Sequence, residues 1–217
     1  MKKLYTCCLF FLICVFLRAN EGLTTSKNHK NTEAPKDVLF DISSDSLALL
    51  ALYNATNGPN WKDAWDLNGN ITTWHGVTFN FQGRVSGVNL YQQGLEGELP
   101  TELGNLTSLT TLSLLDNNIS GNIPVEIGNL TNLLTLNLGD NALSGSIPLQ
   151  LGNLLELRQL ILNSNNLTGS IPVEIGDLDK LEFLHLARNG LSGTIPTGIY
   201  DLINLDYLYL GNNDFTG

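Results

Sequence analysis

Residues 109–132 read LTTLSLLDNNISGNIPVEIGNLTN, and this stretch decides the fold because the chain repeats it at a step of 24. Starts at Val85, Leu109, Leu133, Leu157, Leu181 and Leu205 bring nearly every leucine, glycine and proline into register, as five full copies and a partial sixth. In the copy quoted, Leu109, Leu112, Leu114 and Ile119 fill the apolar positions 1, 4, 6 and 11, and Asn117 fills position 9. Position 13 is glycine in all six copies, and position 16 is proline in each full one (Pro100, Pro124, Pro148, Pro172 and Pro196).

The spacing has a physical reading. The apolar-x-apolar pair at positions 4 and 6 predicts a short strand with one buried face. No copy can hide that face alone, so the copies stack, and stacked strands make a parallel sheet spaced at about 4.8 Å. Leu112, Leu136, Leu160 and Leu184 should then form one interior column. Asn117, Asn141, Asn165, Asn189 and Asn213 stand where the chain leaves the strand, and an amide there can both donate to and accept from the backbone of adjoining turns. Gln93 takes this slot in the first copy and is expected to fill it less well. The glycine permits tight backbone geometry, the proline keeps a helix from running back into that stretch, and the leucine at position 22 closes the core.

Composition bounds the remainder of the chain. A length of 217 residues with 42% hydrophobic content excludes wholesale disorder and a small disulfide-knot fold. A net charge of −10 argues against a nucleic-acid binder that works by neutralising phosphates, and against docking on anionic lipid. Lys2 and Lys3 precede an apolar run from Cys7 to Leu17, and Arg18-Ala19-Asn20 offers a small-residue cut site, so residues 1–19 read as a secretory signal peptide. That run falls short of the ~20 residues a membrane span needs, and no later segment qualifies. Cys7, Cys8 and Cys14 all lie inside it, which leaves the exported chain without disulfides or thiol chemistry. Its removal takes three basic groups and no acidic one, moving the net charge from −10 to −13. Residues 20–43 are polar, lack an apolar period and read as a disordered linker. Residues 44–84 lie between that linker and the first copy. A short helix from Ser44 carries Leu47, Leu49, Leu50, Ala51, Leu52 and Tyr53, is stopped by Asn57-Gly58-Pro59, and is apolar enough to need cover on more than one side.

Leu143-Ser144-Gly145-Ser146-Ile147-Pro148 and Leu167-Thr168-Gly169-Ser170-Ile171-Pro172 resemble the signature of plant-type leucine-rich repeats, and the match runs across residues 85–217. The resemblance implies an α/β solenoid: a right-handed superhelix of 24-residue repeats with a concave parallel β-sheet, a helical N-terminal cap, and a second short strand near each Leu-Ser/Thr-Gly segment. Trp61, Trp65, Trp74-His75-Gly76-Val77 and Gly83-Arg84-Val85 follow the order of the cap in ectodomains of leucine-rich repeat receptor-like proteins, so the resemblance implies that residues 44–84 are an N-terminal cap. Such caps carry cysteines around the Trp-x-Gly-Val core. Here Thr72 and Phe79 stand in those places, so packing of three tryptophans must hold the cap.

In this architecture the side chains free to meet a ligand point out of the strands, at positions 2, 3, 5, 7 and 8. Early copies place mostly small polar groups there. Tyr91, Asp116, Asp140, Ile161, Phe183, His185, Arg188, Tyr207 and Tyr209 are the candidate ligand contacts. Phe183 and Tyr207 share position 3 of adjacent strands, and His185 and Tyr209 share position 5, which predicts one exposed patch of four rings. Rings beside Arg188 suit an interface hot spot. They equally suit cross-strand pairs that only stabilise the sheet. Asp116 and Asp140 share position 8, about one strand spacing apart, a separation at which paired carboxylates can run retaining glycoside hydrolysis or hold calcium. An open sheet desolvates neither acid, so both read as solvated surface charge and no catalytic residue is assigned. His29, His75 and His185 are scattered, and no metal set or cofactor motif emerges.

Asn54, Asn70, Asn105, Asn118, Asn129 and Asn166 carry the Asn-x-Ser/Thr pattern and are candidate glycan sites, although the repeat template itself writes Asn-Leu-Thr. Asn105 and Asn129, at position 21, fall on the outer side; Asn118 and Asn166, at position 10, lie where a glycan would partly screen the concave face. The sixth copy halts at its thirteenth position, which predicts a fragment of a longer protein with a membrane-bound continuation, or an end covered by self-association. The sequence points to a secreted or extracellular, non-enzymatic recognition module that binds a protein, peptide or glycan on its concave face and does not bind nucleic acid. An ectodomain fragment of a receptor-like signalling protein is the alternative reading, and a carbohydrate-active enzyme using Asp116 and Asp140 is the third.

Overall fold

A computed structural model describes residues 44–216. The signal-peptide and linker readings of residues 1–43, with Cys7, Cys8, Cys14 and His29, lie outside the described residues.

Each repeat folds into one turn of three short elements. Among the described residues, seven strands make the first sheet, in the order Val77–Phe79, Val85–Asn89, Thr111–Ser113, Thr135–Asn137, Gln159–Ile161, Phe183–His185 and Tyr207–Tyr209. Its parallel register advances 24 residues per strand, pairing Leu112 with Leu136, Leu136 with Leu160 and Leu160 with Leu184. All four leucines are fully buried, so the expected interior column is present. The sheet is not wholly parallel: Val77–Phe79 comes from the cap and pairs antiparallel with Val85–Asn89, closing the first edge. A hairpin turn makes this pairing, so the repeat pattern carries no trace of it.

Six strands form the second sheet, Glu96–Glu98, Asn118–Asn122, Ala142–Ser146, Asn166–Gly169, Gly190–Gly193 and Asp214–Phe215. Here the lateral partners are only 22 residues apart, as in Ser120 with Ala142 and Ser144 with Asn166. Two residues of slip displace each strand about 6–7 Å along its neighbour, and because two residues is one pleat, inward positions stay inward.

The proline at position 16 marks the start of a 3-10 helix, which runs forward from it and not back into the preceding stretch. Pro100, Pro124, Pro148, Pro172 and Pro196 each precede a five-residue 3-10 helix, and their fixed φ starts its turn, as where Ile127 N–H donates to the Pro124 carbonyl at 3.2 Å. Glycine at position 20 lets these helices stack: a Cβ on Gly104 would stand 2.5 Å from the Glu126 carbonyl oxygen.

The asparagines bolt successive turns together. Asn117 Oδ1 accepts from Gly94 N–H at 2.8 Å and Leu95 N–H at 3.0 Å, and its Nδ2 donates to the Leu90 and Leu114 carbonyls, both at 2.9 Å. Asn165 repeats this, accepting from Leu143 N–H and donating to the Leu138 and Leu162 carbonyls. Gln93 does something else. Its Oε1 accepts from Asp63 N–H at 2.9 Å, so the longer side chain ties the cap to the first turn.

The cap helix α1, Ser44–Ala55, buries Asp45, Ala48, Leu49, Leu52 and Tyr53, while Leu47 is 53% exposed. It is therefore covered along one face, not all round. Trp65 stacks on Trp74 at 4.6 Å and meets Trp61 edge-on at 4.9 Å, and each indole N–H donates to a carbonyl: Trp61 to Thr56, Trp65 to His75 and Trp74 to Asp66. The tryptophan packing expected in place of a disulfide is present. A further tie went unread in the sequence: the buried Asp45 carboxylate accepts from Arg84 Nε at 2.9 Å, Arg84 Nη2 at 2.7 Å and Val85 N–H at 2.8 Å. Hydrogen bonding to Asp45, and its charge, raise the Arg84 guanidinium pKa. The far end of α1 sits against the second sheet. Gly97 there has φ +131°, and a Cβ would stand 2.1 Å from the Ala55 carbonyl oxygen. Among the described residues no helix is long and apolar enough to cross a membrane.

Replacing Asn165 with alanine strands a buried N–H and two buried carbonyls and should cost about 3 kcal/mol in denaturant unfolding; a loss below about 1 kcal/mol would refute the bolting role. Asp45→Ala leaves Arg84 and Val85 N–H without their shared acceptor and should cost about 2–3 kcal/mol, with the cap tryptophan fluorescence changing ahead of the global transition.

Candidate functional site

Inward residues of the first sheet are committed to the core, so its chemistry is presented by positions 3 and 5. From the cap outward, position 3 runs Gly87, Thr111, Thr135, Gln159, Phe183, Tyr207, and position 5 runs Asn89, Ser113, Asn137, Ile161, His185, Tyr209. The face is polar at one end and aromatic at the other. Register sets Phe183 beside Tyr207 and His185 between Ile161 and Tyr209. The ring centroids lie 5.6 Å apart for Phe183 and Tyr207, 5.6 Å for Phe183 and Tyr209, and 4.9 Å for His185 and Tyr209. Tyr207 is 55% and Tyr209 45% exposed, while Phe183 and His185 are half-buried beneath them. Desolvation pushes the His185 imidazole below its ordinary range; Asp140 pulls it up and Arg188 pushes it further down. Rings and both charges therefore share one electrostatic neighbourhood.

Position 8 has a conformational identity invisible in the sequence pattern. Gln92, Asp116, Asp140, Ser164, Arg188 and Asn212 all adopt the left-handed region, with φ between 50° and 60°. Aspartate is among the non-glycine residues that tolerate it best, so local geometry accounts for Asp116 and Asp140. Each carboxylate engages an amide of a neighbouring repeat, Gln92 for Asp116 and Asn163 for Asp140, and both acids are exposed. Nothing desolvates either one to make an acid–base pair. Among the described residues no group of three His, Cys, Asp or Glu side chains could hold a metal.

Tyr91 stands apart from the aromatic patch. It lines a shallow cavity of about 530 Å³ at the cap end of the sheet, with His75, Thr78, Asn89 and Gln93. The cap contributes His75, from the turn before its strand, and Thr78, from the strand itself, so repeat-based reading did not bring them to Tyr91. All six sequon asparagines are exposed. Asn118 and Asn166 open strands of the second sheet.

With the geometry in place, comparison with known proteins identifies the class. Residues 108–130, 132–154, 156–178 and 180–202 match the Leucine Rich Repeat family model. This chain belongs to the leucine-rich repeat proteins, in their plant-type form. Over 80 residues it is 41% identical to a probable leucine-rich repeat receptor-like protein kinase of Arabidopsis thaliana, a stretch that is 36% of this chain and 8% of that relative. A chain of the BIR3–SERK2 complex from Arabidopsis thaliana, 36% identical, superposes with a TM-score of 0.70, covering 80% of this chain and 95% of its own. The Arabidopsis HAESA ectodomain, solved with an N-terminally extended IDA peptide hormone, is 35% identical with a TM-score of 0.71, over 79% of this chain and 29% of that one. The chain thus spans a small part of the receptor kinase it matches.

His185 should titrate below a free imidazole in NMR, with Arg188→Ala raising its pKa and Asp140→Asn lowering it further. Since the native state holds the proton less tightly than the unfolded chain, the contribution of His185 to stability is intact above the unfolded pKa and falls away as pH drops toward the native one. A native pKa at or above that of the unfolded chain would contradict the burial.

Proposed function

We propose that this chain is an extracellular recognition module that holds a peptide or protein ligand on the solvent-facing, concave side of its seven-stranded sheet. Phe183, His185, Tyr207 and Tyr209 form the anchor, Ile161 extends it, Arg188 and Asp140 supply charge beside it, and Asp116 and Tyr91 lie along the polar approach. The observation that carries this reading is the ring cluster itself: four aromatic side chains in mutual contact and partly open to solvent, on strands locked into the repeat register. Rigid strands present the rings at little ordering cost, the condition under which a modest area binds well.

Two further observations support the reading. None of the six sequon asparagines lies at positions 3 or 5 of the first sheet, so glycans on an exported chain would leave this face bare. The peptide hormone bound by the HAESA ectodomain favours a peptide over a glycan as the ligand class. A second reading, favoured by the likeness to a receptor-like kinase, makes this chain the ectodomain part of a signalling receptor, with the same face used for the ligand. Neither reading assigns a catalytic residue.

Panning a random peptide library on the protein, with Phe183→Ala/Tyr209→Ala as the counter-target, tests the face directly. Enriched peptides should bind in roughly the micromolar range and lose about tenfold or more on the double variant, whose circular dichroism should match the parent. Peptides that bind both proteins alike would remove the aromatic patch from the site.

A further inference from the structure

We propose that the junction of the second sheet with the 3-10 layer is a separate docking surface, and that its occupant is a basic amphipathic helix of a protein partner lying along the repeat axis. Position 17, the first residue of each 3-10 helix, is Val125, Leu149 and Val173 in three successive repeats, exposed by 48%, 54% and 68%. Nothing in the repeat asks for an aliphatic residue here. Thr101 and Thr197 fill the same position on either side of the three, so the ridge begins and ends inside the solenoid. Beside it runs an open groove of about 900 Å³ lined by Asn122, Pro124, Ser146, Pro148, Ser170 and Pro172. Contiguous exposed aliphatics along a groove are the mark of an interaction surface.

Charge and spacing identify the occupant. Positions 12–18 of the five full repeats hold Glu96, Glu98, Glu102, Glu126 and Glu174 and no lysine or arginine. The cations of the described residues are elsewhere: Lys62 in the cap, Arg84 on Asp45, Arg158 on Glu182, Lys180 on Glu156, and Arg188 near His185. A partner must therefore bring aliphatic groups flanked by positive charge, and an anionic bilayer is repelled. With repeats stacked at roughly one strand spacing, ridge residues should recur about every 5 Å, or about 10 Å from Val125 to Val173. A helix presents i, i+3/i+4 and i+7 side chains over about 10 Å, whereas alternate residues of a strand advance about 6.6 Å and fall out of step.

Fluorescence anisotropy with three synthetic peptides tests this. One carries leucines at helical spacing among lysines, one alternates the same residues, and one replaces the leucines with alanine. The helical-period peptide should bind saturably, more weakly when salt rises from roughly 50 to 300 mM. Val125→Ser/Leu149→Ser/Val173→Ser and Glu126→Gln/Glu174→Gln should each weaken it about tenfold, while Phe183→Ala/Tyr209→Ala should not, which separates this surface from the aromatic face. Absence of binding, equal binding of all three peptides, binding unchanged in both ridge variants, or preference for anionic vesicles over the peptide would each overturn the proposal. All five ridge substitutions are at surface positions, and thermal unfolding of each variant checks that the fold is retained.

Discussion

One constraint governs this molecule: a single turn can neither bury its aliphatic lining nor satisfy the backbone groups where it leaves the strand. The asparagine at position 9 resolves the second half of the problem across two turns at once. Asn117 serves Gly94 and Leu95 of the preceding turn and Leu114 of its own, so neither turn is polar-satisfied without the other. The leucine column resolves the first half in the same way, since each strand hides its inward residue only when flanked by its neighbours. Stability in such an array resides in contacts between adjacent turns. That leaves the outward positions free to vary without cost to the fold.

An array of this kind needs a beginning with no preceding turn, and the cap supplies one from unlike parts. Val77–Phe79 pairs along the edge that a missing strand would leave open. Asp45 brings a charge into the boundary and spends it on two groups, the Arg84 guanidinium and the Val85 amide, both at the start of the first repeat strand. Gln93 departs from asparagine because its neighbour is the cap backbone at Asp63 rather than another turn. Three indoles then fill the volume between α1 and the sheet, each with its N–H satisfied, which is why the cap coheres without a cross-link.

Much of this was legible because the repeat forces residue type and position to agree. Leucine spacing predicts the column, the amide predicts the turn-to-turn bond, and adjacent aromatic pairs at positions 3 and 5 predict that four rings meet. What escaped reading lacks a periodic signature. Asp45 and Arg84 are far apart in the chain and meet only through tertiary packing. The 22-residue register of the second sheet depends on how the turns slant, which the 24-residue period does not encode. The left-handed backbone at position 8 is shared by Gln92, Asp116, Ser164 and Arg188, residue types too different for composition to betray a common conformation.

That last point supplies a criterion for telling function from architecture. Where the backbone accounts for a residue, its presence is not by itself a sign of a ligand: Asp116 and Asp140 fit a left-handed slot and engage amides of adjoining repeats, and it is the aromatic cluster beside Asp140 and Arg188 that gives their charges a role. Where neither backbone nor core explains a residue, its chemistry is informative. Tyr207 and Tyr209 satisfy no conformational demand of their strand, and threonine, serine and asparagine occupy the equivalent places in early repeats without disturbing the register. Val125, Leu149 and Val173 meet the same test, because threonine begins the 3-10 helix equally well at Thr101 and Thr197. A solenoid whose architecture is written by the inward half of its residues thus marks its contact surfaces by the outward residues that the architecture does not require.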